Sequence, residues 1–346
     1  MSFANRKAVL CCLLTIPWTL PGKVQAADPG PPLMLERTIS LTSVSGRIDH
    51  MAVDLRRGRL FVAELGNGTV DVVDLAARKA IRRIAGLKEP QGVGYTPQAD
   101  MIAVASAGDG SVRLFRGEDL SPAGVISLGE DADNVRFDMR TGQLVVGYGN
   151  GSLAALDQAS RSVVSDTKLP GHPEGIQLDP STGRAFVNVP DAGQVAVVDL
   201  AAGKQVASWR VPGLKANFPM ALDSTGSVLA TVFRSPPRLV LLDAKTGDVT
   251  ANLPTCGDAD DVFFDAKRRR LYVSCGEGFV DVLQGDTAGY HSLARIPTHS
   301  GARTSLWLLS GSGVVGRGHA TKAATRAPSK ALPRRRALCT NWKKPR

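Results

Sequence analysis

Aromatic residues make up only 5% of the 346 positions, and four of them are tryptophan. None of these precedes an aspartate, so no Trp-Asp dipeptide closes a repeat and a WD-type array is disfavoured. Trp209 is the single tryptophan between residues 26 and 307, which leaves little support for a quinone cofactor stacked on indole. No Cys-x-x-Cys-His occurs, so covalent haem attachment is disfavoured as well. Long apolar runs are missing. The stretch from Ala8 to Leu20 is interrupted by Pro17 and falls short of the roughly 20 residues that span a bilayer. Acidic residues are absent from residues 302–346, where 11 Lys or Arg lie.

That last absence changes the meaning of the formal charge of +10. The basic segment carries it, together with Arg6, Lys7 and Lys23 near the start, and the chain between is mildly acidic. A basic run such as Pro333-Arg334-Arg335-Arg336 attracts phosphate. With stacking aromatics almost absent beside it, Trp342 aside, it carries no specific nucleic-acid signal.

Arg6 and Lys7, then the short apolar run, then Val24-Gln25-Ala26 form the tripartite pattern of a secretory signal cut before Ala27. The expected domains are therefore a signal peptide over 1–26, a folded domain over 27–306 and a basic, low-complexity tail over 307–346. The expected location is the periplasm or the extracellular space. The composition changes so abruptly near Trp307 that a shifted reading frame would account for it.

Between the ends one pattern recurs every 41 to 44 residues, starting at Arg47, Lys88, Glu130, His172, Lys215 and Asp258. Each copy has a short apolar run ending mostly in Asp (Asp54, Asp138, Asp179, Asp223, Asp265; Thr96 in the second copy), followed by a turn. Two aliphatic, β-branched segments and a more polar fourth segment follow. Val70, Val72 and Val73 sit at strand-like spacing, and the Gly-Asn-Gly turns at 66–68 and 149–151 suit tight hairpins. Four short strands at this period predict an all-β fold, a β-propeller of four-stranded blades. Six copies leave a gap in a seven-bladed ring. The gap is expected to be closed by Glu36 to Leu41 and by an incomplete or aberrant segment after Gly301.

The segments RGRLFVAELGNGTVDVVDL, STGRAFVNVPDAGQVAVVDLAAGKQVASW and KRRRLYVSCGEGFVDVL resemble the YVTN-type repeats of exported bacterial seven-bladed propellers, and are close to NHL repeats. The resemblance covers about residues 31–306. It implies the fold but no single activity, since such propellers include binding scaffolds, lactonases and cofactor-dependent oxidoreductases.

Aligning the first strands on Met51, Val93, Val135, Ile176, Met220 and Val262 places Asp49, Gln91, Asp133, Glu174, Phe218 and Asp260 in one column. His50, Gly92, Asn134, Gly175, Pro219 and Asp261 form the next. First strands line a propeller's channel, so Asp49, His50, Gln91, Asp133, Asn134, Glu174, Asp260 and Asp261 are the candidate ligand-binding residues at its mouth. They equally suit a solvated rim. Carboxylates with an amide could hold Ca²⁺ or another divalent cation. The lactonase resemblance narrows that metal set to Asn134, Glu174 and Asp261, although their order along the chain is not the lactonase order. His172 and His291 stand alone and receive no role.

Folding the chain about Lys267 sets residue 259 opposite 275, which leaves Cys256 close to Cys275. The pair suits a disulfide in an exported protein, or two buried thiols. The reading of the sequence is thus a monomeric exported scaffold for a small ligand or a periplasmic protein, with no membrane span. A metal-dependent, lactonase-like hydrolase is the alternative, and no catalytic residue is assigned.

Overall fold

The computed structural model describes residues 31–308, together with the backbone of 313–319 and 337–343. The expected signal over 1–26 and most of the expected tail lie outside the described residues. Among the described residues no helix is long and apolar enough to cross a membrane.

Each repeat forms one four-stranded antiparallel sheet in which consecutive strands pair. The first is built from Met51–Asp54, Arg59–Glu64, Thr69–Asp74 and Lys79–Ile84. Five further sheets repeat this plan, with first strands Pro90–Thr96, Ala132–Asp138, Ile176–Asp179, Lys215–Leu222 and Ala259–Asp265. Another sheet joins the two ends: Met34–Leu41 pairs with Ala337–Lys343, which pairs with Gly313–His319 and then Ser305–Leu308. The first strand of each sheet touches the first strand of the next, and Ser305–Leu308 touches both Ala259–Asp265 and Met51–Asp54.

The core lies between sheets, which explains the aliphatic second and third segments of every repeat. Side chains alternate across a strand with period two. In Arg59–Glu64, Leu60 and Val62 therefore pack toward Ile39, Leu41, Leu306 and Leu308, whereas Phe61 and Ala63 pack toward Val93, Ile102 and Val104 of the second sheet. A strand buried on both faces is apolar along most of its length, and the middle strands are, apart from buried polar residues such as Glu64, Asp71 and Asp281. The fourth strands lie at the edge and alternate, as in Lys204–Trp209, where Lys204, Val206 and Ser208 are exposed.

The recurrent Asp closes the turn after the first strand in five of the six repeats. Asp54 Oδ1 accepts the backbone N–H groups of Arg56 and Arg57, and Asp179 Oδ1 accepts that of Ser181 at 2.9 Å. Its side chain thus satisfies turn donors that no ladder reaches. In the sixth sheet Ala259 opposes Cys275, and Cys256 and Cys275 form a disulfide with Cα atoms 5.9 Å apart. Trp307 lies in the strand Ser305–Leu308, and its ring stacks on Tyr272 with centroids 4.7 Å apart.

Candidate functional site at the channel mouth

The approach to the first strand is built alike in most repeats. Two residues before the Asp49 column, Glu89, Asp131, Ala216 and Asp258 have φ of 51°, 37°, 59° and 55°. Side-chain-bearing residues seldom adopt this left-handed region. A register irregularity follows at once, between Pro90 and Val93, Ala132 and Val135, Asn217 and Met220, and Ala259 and Asp261. Such bulges re-aim side chains, and here they fall on Gln91, Asp133, Asn134 and Asp260. Gly92 allows the neighbouring first strand to come close, because a Cβ there would stand 1.9 Å from the Asp133 carbonyl oxygen.

All eight residues expected at the mouth line one cavity of about 290 Å³. The same wall contains charged groups that the two columns did not reveal: Arg47, Asp131, Arg136, His172, Arg234 and Arg303. His172, left without a role by the sequence, thus belongs to the site. Arg47, Asp131 and His172 were open to discovery, since they share the column two residues before Asp49, where Glu89 and Asp258 also stand. Arg136 and Arg234 follow no column, Arg234 coming from the second strand of its sheet.

The arginines are engaged by the wall itself. Arg47 pairs with Asp49 and donates to Gln91 Oε1. Arg303 reaches Asp258 at 2.9 Å and Asp260 at 3.0 Å. Arg234 pairs with Asp260, donates to the Ala259 carbonyl at 2.8 Å and lies 3.8 Å over the Phe218 ring. Arg136 donates to the carbonyls of Ile176 and Val135, each at 2.9 Å, and burial lowers its pKa.

The opposite part of the wall is less fully paired. His172 Nδ1 contacts the Gly149 carbonyl at 2.7 Å, and its ring faces Asp131 and Asp133 at 3.5 and 3.9 Å. Burial lowers its pKa, but Asp133, the Gly149 carbonyl and Asp131 outweigh that and push it up to about 9. His50 likewise is raised despite burial, by Asp49, Asp133 and Asp261. Burial, reinforced by Asp133, raises Glu174 to about 7. Burial also raises Asp261 to about 7, against the pull of His50 and of the Ser305 N–H that its Oδ2 accepts at 2.6 Å.

This arrangement can recognise charge and donate or accept hydrogen bonds. No serine, threonine or cysteine is among the described residues of the wall, so it offers no hydroxyl or thiol nucleophile. The residues of the expected metal set, Asn134, Glu174 and Asp261, line this cavity together with other groups. Asp261 already accepts a backbone N–H, four guanidiniums share the space, and no three His, Cys, Asp or Glu side chains among the described residues are grouped to hold a metal ion.

No family model matches the sequence, and no curated protein does. Among solved structures the chain is similar to one of hydrazine synthase from Kuenenia stuttgartiensis, with a TM-score of 0.70 and 16% identity over 87% of this chain and 96% of that one. It is also similar to a chain of a mitotic checkpoint complex, with a TM-score of 0.74 and 12% identity over 97% and 98% of the two chains. Both are β-propellers. The chain has the β-propeller fold. At these identities the likeness concerns the fold alone, and the sheets described above are the blades of a propeller whose first strands surround the cavity.

Proposed function

We propose that the chain is an exported seven-bladed β-propeller of the YVTN type that acts as a binding scaffold, holding a small ligand at the mouth of its central channel. A seventh blade is supported by the sheet that joins Met34–Leu41 to Ser305–Leu308, and by the contacts of the latter with its neighbours on both sides. Export is supported by the signal-like pattern over residues 1–26, and the YVTN type by the repeat segments.

One observation carries the function: charged and amide side chains from all six repeats line one cavity, at about 290 Å³. Ligand pockets span roughly 300–1,000 Å³, so this one suits a small molecule better than a protein segment. A partner protein would require a broad surface instead.

A thermal-shift screen of the purified chain against a small-molecule library tests the reading. Compounds that raise the melting temperature are expected to lose that effect in the double variant Asp133→Asn/Arg303→Ala. Hits that act equally on this variant, or a lactone that is turned over, would contradict it.

A further inference from the structure

The wall of the mouth has an unmet need for hydrogen-bond donors. Asp133 is 5% exposed and Asn134 is 2% exposed, yet neither Asp133 Oδ1 nor Asn134 Oδ1 has a hydrogen-bond partner. Buried acceptors in native proteins are paired, so two adjacent orphans beside a cavity point to a donor that arrives from outside. The Glu174 carboxylate makes no hydrogen bond or ion pair among the described residues. Its backbone N–H donates to the Asn188 carbonyl at 2.9 Å, while the carboxylate feels the charges of Asp133 and His172 without a hydrogen bond to either.

The resident cations do not meet this need. Arg47, Arg234 and Arg303 are paired with Asp49, Asp258 and Asp260, and Arg136 is held by two carbonyls. His50 Nε2 and His172 Nε2 come no closer to Asp133 than 3.7 and 3.9 Å, beyond hydrogen-bond reach. The wall is rich in acceptors, contributed by Asp49, Asp131, Asp133, Glu174, Asp260 and Asp261. Beside them the fifth repeat breaks the polar columns with Phe218, Pro219 and Met220, which also line the cavity.

Resting on the ligand-binding reading of the mouth, we propose that it recognises a primary ammonium group on a short aliphatic chain. The three N–H donors go to Asp133 Oδ1, Asn134 Oδ1 and the Glu174 carboxylate, and the carbon chain lies along Pro219 and Met220. An alkylammonium is a compact charge with three donors and no acceptor, which matches acceptors that have nothing to donate. A quaternary ammonium has no N–H and is recognised by an aromatic cage. Phe218, the one aromatic side chain of this wall among the described residues, already carries the Arg234 guanidinium over its ring.

Calorimetric titration of the full chain with n-butylammonium, tetramethylammonium and calcium chlorides, at fixed ionic strength, tests the proposal. The Kd for n-butylammonium should be lower than that for tetramethylammonium by about tenfold or more, the scale of one charge-assisted hydrogen bond. Asp133→Asn and Glu174→Gln should each weaken n-butylammonium by a similar factor. Having two variants keeps the test decisive if one fails to fold, and the melting curve of each shows whether it has. Equal affinity for tetramethylammonium, calcium binding that excludes n-butylammonium, or affinity unchanged in the folded variants would overturn the proposal. If neutral or anionic library compounds bind through Asp133 and Glu174 while n-butylammonium does not, ammonium recognition falls and the binding scaffold stands. If no compound of any charge acts through the mouth, both fall.

Discussion

Glu64 shows how a single buried carboxylate shapes the chemistry of a blade. It is fully buried, with Oε2 accepting from the Thr69 hydroxyl at 2.6 Å and Oε1 unpartnered. Burial pushes its pKa up to about 7; the Thr69 hydroxyl pulls it down, and the neighbouring Asp71 carboxylate pushes it up again. The folded value lies above the ordinary 4.5, so the folded chain keeps a proton that the unfolded chain releases between about pH 4.5 and 7. Stability from this group therefore falls as pH rises through that window and stays low above it. Glu64→Gln removes the ionisation, and urea melts at pH 5 and pH 8 should then differ by about 2 kcal/mol less than in the unaltered chain. An unchanged difference would contradict this assignment. At the same scale, the mouth carboxylates were legible because they share columns with the apolar first strands. Arg136 and Arg234 were not, because their place in the wall depends on how neighbouring strands cross rather than on spacing.

At the scale of elements, the strands and their turns were legible from β-branched segments and from the Asp that ends most first strands. The bulges were not. In all six consecutive sheets the ladder between the third and fourth strands slips, as between Val72 and Val73 or Val197 and Val198. No residue type marks the slip, since the bulge is set by twist and by packing against the next blade. The Cys256–Cys275 pairing was approachable because a two-strand register is simple arithmetic once the turn at Lys267 is placed. The bridge is supported by Asp281, which accepts the Cys256 N–H at 2.7 Å and is gripped by Arg295. In the chain-entropy model a loop of this length contributes about 3 kcal/mol. The double variant Cys256→Ser/Cys275→Ser should lose about that much in denaturant melts. Thiol labelling of the denatured, unreduced chain should leave both cysteines unmodified. Labelling at both would exclude the bridge.

For the molecule as a whole, the propeller fold was legible from the repeat period, since a blade buries its core only against other blades. How the ends meet was harder to read. Glu36 to Leu41 could be matched to a fourth strand, whereas the sequence beyond Leu306 carries no Asp-turn-apolar signature. The strand nevertheless continues to Leu308, and the backbones of Gly313–His319 and Ala337–Lys343 complete the sheet. The formal +10 belongs to the two ends of the sequence, while the channel mouth gathers carboxylates. The account centres on that mouth as a ligand site, and the histidines report on it directly. His50 and His172 line the cavity, whereas His291 and His299 are exposed on the outside. Imidazole carbon–proton NMR spectra of the chain, recorded with and without the most stabilising compound from the thermal-shift screen, give the most direct test. The signals of His50 and His172 should move while those of His291 and His299 stay in place. Unmoved His50 and His172 signals at saturation would contradict a ligand site at the channel mouth.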